Sequence, residues 1–122
     1  MLTEEVGQRF AETWIEAWNS RNLEMLAALY TDDFIYCGPY IGAVMGIPSD
    51  YCLKGIDSVR DYWQKALEKA PDDMHFELKG VYIGVDSLVI HYRGAFGRDG
   101  CQMFHFNEDG VVFKATSHYD RI

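Results

Sequence analysis

The N-terminal part of the chain carries a regular repeat of large apolar side chains. The repeat runs through Val6, Phe10, Trp14 and Trp18. Because residues four apart lie on the same side of an α-helix, this spacing predicts a long amphipathic helix. Thr3 precedes the repeat and is suited to cap the helix.

A shorter helical pattern follows the polar break at residues 19–22. Asn22 is suited to cap this second helix. Its apolar side is formed by Leu23, Leu26, Ala27 and Tyr30. We expect the polar run 31–33 to end the helix. The aromatic and β-branched run 34–37 then predicts a strand that stops at the next glycine and proline.

Residues 40–55 are apolar but contain three glycines and Pro48. We therefore expect a long loop here rather than a regular helix. Apolar loops of this length often cover a functional site. The alternative is a loop packed on its own domain or buried against a second subunit.

A third helical pattern at residues 56–70 precedes a series of strand patterns, and Pro71 follows its end. The side chains predicted to share inner faces of the strands are Met74, Phe76 and Leu78, then Leu88, Ile90 and Tyr92, then Gln102, Phe104 and Phe106, and finally Phe113, Ala115, Ser117 and Tyr119. Gly80 predicts a β-bulge, and the runs 96–100 and 107–110 predict turns.

The order of these elements predicts the fold class. Three helices followed by an antiparallel meander are typical of an α+β protein with the helices packed on one face of a sheet. The chain has 122 residues, which fits one domain spanning residues 1–122.

The net charge and the cysteines indicate which binding partners and which cellular compartment to expect. The net charge of −8, without any basic run, argues against nucleic acid and against an anionic membrane surface. Cys37, Cys52 and Cys101 are an odd number without C-x-x-C spacing, so we expect reduced thiols and a cytoplasmic location. We also expect no signal peptide and no membrane span, because the chain has no apolar run of the required length.

A set of short motifs is spread over nearly the whole chain. Its members are Trp18-Asn19, Asn22-Leu23, Leu29-Tyr30, Asp32-Asp33-Phe34, Pro39, Gly55 with Val59-Arg60-Asp61-Tyr62-Trp63, and Phe104 with Phe106. The set resembles the nuclear transport factor 2-like superfamily, in its SnoaL-like and ketosteroid isomerase-like branch. This resemblance implies a cone-shaped, cystatin-like roll in which three N-terminal helices pack in a curved antiparallel sheet. It also implies a pocket between helices and sheet, and a homodimer formed through the sheet.

The ketosteroid isomerases of that superfamily offer the sharpest comparison for chemistry. They carry a tyrosine on the first helix, an aspartate base just before a proline after the first strand, and a protonated aspartate on a late strand. The matching positions here hold Trp14, Gly38 and Gln102. Since glycine cannot act as a base, the resemblance implies the pocket without the proton-transfer residues. Asp50 is the alternative base.

Inward-facing positions on the helices and strands predict a ligand pocket. They are Trp14, Tyr36, Trp63, Tyr92, Gln102, Phe104 and Tyr119. Aromatic walls with one amide and several hydroxyls suit a flat, small hydrophobic molecule with one or two polar atoms. The alternative is a filled core without a cavity.

Two functions are compatible with such a pocket. The first is a cofactor-free acid–base isomerase, cyclase or dehydratase. The second is a non-catalytic ligand-binding or protein-interaction domain, which the missing base at Gly38 favours. Two or more pocket groups with perturbed pKa would favour the enzyme. His118 with Asp120 is a further acid–base candidate, although the strand alternation places His118 outside. No cofactor is predicted.

The four histidines lie out of phase with the apolar alternation, so we expect them on the outer face of the sheet. They are His75, His91, His105 and His118. If the 96–100 turn pairs Tyr92 with Phe104, His91 lies opposite His105. No carboxylate or cysteine joins them at regular ligand spacing. We therefore predict a surface or interface pair of histidines rather than a metal site.

Overall fold

In the computed structural model, which describes residues 1–122, four helices pack against a six-stranded sheet. In chain order the elements are α1 (Glu4–Asn19), α2 (Leu23–Ala27), β1 (Tyr30–Cys37), α3 (Ile41–Met45), β2 (Cys52–Lys54), α4 (Ile56–Lys69), β3 (Glu77–Ile83), β4 (Ser87–Arg93), β5 (Asp99–Phe106) and β6 (Val112–Tyr119). A short 3₁₀ turn, Ala95–Gly97, joins β4 to β5. None of the helices combines the length and the apolar character that crossing a membrane requires. The predicted α+β fold is confirmed.

The first helix begins where its capping residue predicts. Thr3 Oγ1 accepts a hydrogen bond from the Val6 N–H at 3.1 Å and satisfies one free donor of the first turn. Trp14 is buried as predicted, but Val6 is 43% exposed and Gly7 is buried in its place. A Cβ on Gly7 would lie 3.1 Å from the Ile83 side chain. Glycine therefore lets the helix approach the sheet closely.

The second helix is shorter than its apolar pattern predicts. It ends at Ala27, and Tyr30 begins β1 instead of lying on the helix. The polar run 31–33 does not end the helix but continues the strand. β1 runs parallel to β6, with Tyr30 opposite Val112. Pairing with a strand that is distant in sequence thus overrides the local helical spacing.

The sheet is mixed rather than wholly antiparallel. Its strand order is β2-β1-β6-β5-β4-β3, in which β1 and β6 are parallel and the other neighbours are antiparallel. The predicted meander corresponds to β3 through β6. α1 packs against β3 and α4 packs against β1, so the hydrophobic core lies between these helices and the sheet.

The segment 40–55 is more regular than expected, because it forms α3 and β2. The prediction of a loop without helix is wrong for Ile41–Met45. A Cβ on Gly42 would lie 2.6 Å from the Ile47 carbonyl oxygen, so only glycine allows the chain to fold back so closely. Gly46 then ends the helix in the left-handed conformation, with φ of 77°.

Cys37 and Cys52 form a disulfide between neighbouring strands. They lie opposite each other in the β1–β2 register, with their Cα atoms 4.1 Å apart. The prediction of three reduced thiols is therefore wrong for this pair, and Cys101 is the free cysteine. The sequence separation of 15 residues hides the pairing, because only the antiparallel return of the chain brings the two cysteines together.

The register between β4 and β5 differs from the predicted one. Tyr92 lies opposite Gly100 rather than Phe104, so His91 and His105 are not cross-strand partners. The cause lies in the connecting turn, where two residues adopt left-handed backbone conformations with φ of 61° and 66°. These conformations move the centre of the turn toward β4.

The other strand predictions are mostly confirmed. A register shift beside Gly80 is the predicted bulge. Ala115 and Ser117 on β6 are buried as expected, but Phe113 is 42% exposed. A second register shift, between β5 and the start of β6, turns Val112 inward in place of Phe113.

Candidate functional site

A cavity of about 450 Å³ lies between the helices and the inner face of the sheet. Of its 21 lining residues, 17 are hydrophobic, and all three tryptophans of the chain are among them. Cavities of this size hold small organic molecules. The lining residues are Trp14, Trp18, Tyr30, Tyr36, Tyr40, Ala43, Val44, Tyr62, Trp63, Ala66, Lys69, Ala70, Met74, Phe76, Tyr92, Gly94, Ala95, Phe96, Arg98, Gln102 and Tyr119.

The structure brings most of the predicted site residues to this cavity. Those that line it are Trp14, Tyr36, Trp63, Tyr92, Gln102 and Tyr119. Phe104 does not line it. Its ring is fully buried, 5.7 Å from that of Trp14 and 5.0 Å from that of Phe10. Phe104 therefore packs behind the aromatic rings that line the cavity. That the other six residues bind a ligand stays a prediction.

Trp14 lies at the centre of the aromatic wall. Its indole is 4.9 Å from the ring of Tyr92 and 5.7 Å from that of Phe76. Trp18 stacks on Phe76 at 5.3 Å and lies 6.2 Å from Trp63. Such pairs contribute about 0.5–1.5 kcal/mol each beyond the area that they bury. The wall is consequently an ordered buried cluster.

Asn19 fixes the position of Phe76 in this wall. Its Nδ2 donates to the Phe76 carbonyl oxygen at 3.0 Å, and its Oδ1 accepts from the Phe76 N–H at 2.6 Å. The amide thereby takes the place of a neighbouring strand for the segment that enters β3. The sequence motif contains Asn19, but only the tertiary contact assigns it this role.

A hydrogen-bonded chain of three buried side chains crosses the inner face of the sheet. Ser117 Oγ donates to Gln102 Oε1 at 3.0 Å and lies 2.6 Å from the Tyr36 hydroxyl. A serine hydroxyl has one proton, so Tyr36 is the donor in the second bond. The Gln102 amide nitrogen forms no hydrogen bond within the protein and remains free to donate.

Gly38 is the residue that the sequence resemblance matches to the base of the ketosteroid isomerases. A Cβ at this position would lie 2.8 Å from the Tyr36 hydroxyl oxygen, which is closer than real side chains come. The Tyr36 ring thus occupies the space that a carboxylate side chain would need.

Two buried polar atoms of the cavity lining have no hydrogen-bond partner. They are the indole Nε1 of Trp18 and the hydroxyl oxygen of Tyr30. The Trp14 side chain lies near the Tyr30 hydroxyl and slightly opposes the rise of its pKa, but the geometry falls short of a hydrogen bond. Polar atoms buried in this way are uncommon in folded proteins.

Four buried tyrosines line the cavity: Tyr30, Tyr36, Tyr62 and Tyr92. Burial raises the pKa of each well above the ordinary value of about 10, and neighbouring tyrosines add to the rise for all except Tyr30. These hydroxyls therefore stay neutral. No aspartate, glutamate or histidine lines the cavity. Asp50, the alternative base considered from the sequence, therefore lies outside it.

The open side of the cavity is edged by α3, by the end of α4 and by the β4–β5 turn. Lys69 Nζ donates to the Val44 carbonyl oxygen at 3.1 Å. Arg98 donates to the Tyr40 hydroxyl, and its Cζ lies 5.7 Å from the centroid of the Tyr40 ring. Phe96 is 80% exposed at this edge. We call this edge the mouth.

The other titratable candidates lie away from the cavity. His91 Nε2 is 3.3 Å from Asp99 Oδ2, and Arg93 Nε is 2.8 Å from Asp99 Oδ1. The contact with Arg93, followed by that with His91, lowers the pKa of Asp99. His118 and Asp120 are exposed. No three His, Cys, Asp or Glu side chains come together in a way that could hold a metal ion.

Several residues of the cavity do not follow from the sequence patterns. Tyr30 falls on the predicted second helix, and Tyr62 directly precedes Trp63, the one residue of α4 that was predicted to line the pocket. Ser117 does not line the cavity but bonds to Tyr36 and Gln102, which do. The alternation along its strand predicted that its side chain points inward. Lys69 and Arg98 carry no local signal, because their position at the mouth depends on packing.

Comparison with known proteins supports one family. Residues 11–120 match the SnoaL-like domain family. A SnoaL-like protein of unknown function from Burkholderia thailandensis is similar with a TM-score of 0.89 and 41% identity, covering 98% of each chain.

More distant structures share the fold. A protein of unknown function with a cystatin-like fold from Methylobium petroleophilum has a TM-score of 0.76 at 12% identity, covering 99% of this chain and 80% of that chain. A protein with a ketosteroid isomerase-like fold from Catenulispora acidiphila, solved with trimethylamine, has a TM-score of 0.70 at 15% identity, covering 98% and 88%. No curated protein matches the chain. The match over residues 11–120 and the 41% identity to the Burkholderia protein show that this chain belongs to the SnoaL-like domain family.

Proposed function

We propose that the protein binds a small, largely apolar molecule in the cavity between the helices and the sheet. The observation behind the proposal is a cavity of about 450 Å³ in which 17 of the 21 lining residues are hydrophobic. Apolar side chains that face such a cavity leave water when a ligand fills it. The aromatic lining therefore favours a flat apolar ligand.

The ionisable groups of the cavity favour binding over proton abstraction. Four tyrosines with shifted pKa meet the number expected of an enzyme, but the shift keeps them neutral. Acid–base catalysis also needs a group that accepts the proton, and no carboxylate or imidazole lines the cavity. The non-catalytic ligand-binding function is therefore our first proposal.

A cofactor-free isomerase, cyclase or dehydratase is the second candidate, and the buried hydroxyl chain supports it. Tyr36, Ser117 and Gln102 form a preorganised hydrogen-bonding group next to the aromatic wall. In this group the Gln102 amide nitrogen keeps free N–H donors, and a fixed neutral donor of this kind stabilises an oxyanion that develops on a bound carbonyl group. Such an enzyme would require a proton acceptor supplied by the substrate itself or by water.

The binding proposal is tested by the intrinsic fluorescence of the three tryptophans, all of which line the cavity. We expect a saturable change when naphthalene carboxamide, an uncharged flat probe, is titrated into the protein. Ala66 lines the cavity, so Ala66→Leu fills part of it and lowers the affinity about fivefold or more. Ala28→Leu, at an exposed position on α2's C-terminal side, is the matched control and leaves the affinity unchanged.

An absence of saturable binding, or equal loss in both variants, would contradict the binding proposal and leave a protein-interaction domain. The second candidate is tested separately with acetonaphthone in deuterated buffer. An enzyme of that class speeds the exchange of the α-hydrogens of the ketone, which NMR follows. A binding protein leaves the exchange rate at its value in buffer.

The assembly and location of the protein remain predictions. We propose a homodimer formed through the outer face of the sheet, without nucleic-acid or membrane partners, in the cytoplasm. Size-exclusion chromatography with light scattering tests the dimer, because it measures the mass of the assembly in solution. The disulfide between Cys37 and Cys52 removes the argument for the cytoplasm that was based on reduced thiols.

A further inference from the structure

The charge at the mouth of the cavity is opposite to that of the chain. The chain carries a net charge of −8, yet the two charged residues that line the cavity are both cations, Lys69 and Arg98. Neither forms an ion pair with a carboxylate of the protein. The mouth is thus a local site of positive charge on an acidic protein, and it attracts an anion.

The two cations flank the same helical turn. Lys69 Nζ bonds the carbonyl of Val44, and Arg98 bonds the hydroxyl of Tyr40. Both partners belong to the segment that forms this wall of the mouth, and both line the cavity. An ammonium group has three donors and a guanidinium group has five, so both side chains keep N–H groups for a ligand.

We infer that the ligand is a carboxylic acid with a flat ring system, with the rings against the aromatic wall and the carboxylate at the mouth facing Lys69 and Arg98. This inference rests on the proposed binding function and names its ligand class. A guanidinium group matches the geometry of a carboxylate. The charged group stays at the solvent-facing edge, where ionic groups lose little hydration, while the rings leave water.

The same geometry disfavours other ligand classes. An amine of similar shape meets two like charges at the mouth and no carboxylate inside the cavity. An uncharged ligand gains the ring contacts but leaves the cations without a partner.

The test compares three naphthalene derivatives of one shape, namely the carboxylate, the carboxamide and the aminomethyl compound, by tryptophan fluorescence. We expect the carboxylate to bind about tenfold more tightly than the carboxamide, because hydrogen bonds to charged groups are stronger than neutral ones. The aminomethyl compound binds most weakly. The advantage of the carboxylate decreases at high salt.

Charge-removing variants assign the effect to the mouth. We expect Lys69→Met and Arg98→Met each to reduce carboxylate affinity about fivefold, and carboxamide affinity less than about twofold. Lys65→Met is the matched control, because Lys65 lies one turn earlier on the same helix and pairs with Asp61 away from the cavity. This control leaves both affinities unchanged.

The remaining outcomes distinguish an error in the ligand class from an error in the proposed binding function. If carboxamide and carboxylate bind equally, the binding function stands and the acid assignment is overturned. If Lys69 only caps α3, Lys69→Met lowers the melting temperature but leaves the carboxylate-to-carboxamide ratio unchanged, which also overturns the assignment. Tighter binding of naphthyl phosphate than of the carboxylate would replace the acid with a phosphate ester. If none of the compounds binds, the proposed binding function fails as well.

Discussion

Tyr30 and Tyr36 are both buried tyrosines of β1, but their hydroxyl groups have opposite surroundings. The Tyr36 hydroxyl lies 2.6 Å from Ser117 Oγ, whereas the Tyr30 hydroxyl has no partner. Removal of a satisfied hydroxyl loses a hydrogen bond, while removal of an unsatisfied one relieves a desolvation cost. The two positions therefore form a matched pair for mutation.

We predict that Tyr30→Phe raises the free energy of unfolding by about 1 kcal/mol and that Tyr36→Phe lowers it by about 1 kcal/mol. Urea unfolding followed by fluorescence measures both. Changes of the same sign in the two variants would show that the Tyr30 hydroxyl is satisfied in the protein.

At the scale of elements, the segment between the two bridged cysteines forms one wall of the mouth. It contains α3, and Tyr40 and Val44 from it line the cavity. The disulfide closes this segment at its base, next to a hydrogen bond from the Gly38 N–H to the Tyr51 carbonyl oxygen at 2.9 Å. The covalent link thus limits how far the segment can move in the unfolded chain and in the native one.

We predict that reduction of the Cys37–Cys52 bond, or the double variant Cys37→Ser and Cys52→Ser, lowers the free energy of unfolding. The two cysteines are 15 residues apart, and closing a loop of that length contributes about 3 kcal/mol. Urea unfolding with and without a reducing agent measures the difference. Cys101→Ser is the control, since Cys101 is a free thiol. Equal stability in oxidised and reduced buffer would exclude the disulfide in solution.

At the scale of the whole molecule, the buried tyrosines make stability depend on alkaline pH. Their pKa is raised in the folded state, so folding favours the neutral form. The unfolded chain ionises its tyrosines above about pH 10. The contribution is fully present below that pH and is lost as the pH rises further.

We predict that the free energy of unfolding falls above about pH 10 by about 1.4 kcal/mol per pH unit for each buried tyrosine. Urea unfolding between about pH 8 and about pH 11 measures the slope. Tyr30→Phe reduces this slope by about 1.4 kcal/mol per pH unit, which is the contribution of one buried tyrosine. Tyr82→Phe is the control, because Tyr82 is 60% exposed. An unchanged slope in Tyr30→Phe would mean that Tyr30 ionises normally in the folded state.

The sequence alone predicted the elements whose signals are local. Helix α1 with its Thr3 cap, helix α4 and the alternating strands β4 and β5 follow from apolar spacing and capping residues, and they are confirmed. Each of these patterns is long enough for one periodicity to dominate. The family resemblance and the α+β class follow from their order.

The tertiary structure decided the features that depend on distant partners. Parallel pairing with β6 made Tyr30 a strand residue, the antiparallel return of β2 joined Cys37 to Cys52, and the β4–β5 turn set the register of His91. The cationic mouth also depends on residues that are distant in sequence, and so do the unpaired polar atoms of Trp18 and Tyr30. Local periodicity shows which face of an element is apolar, but hydrogen-bond partners and cavity walls arise only when the elements pack.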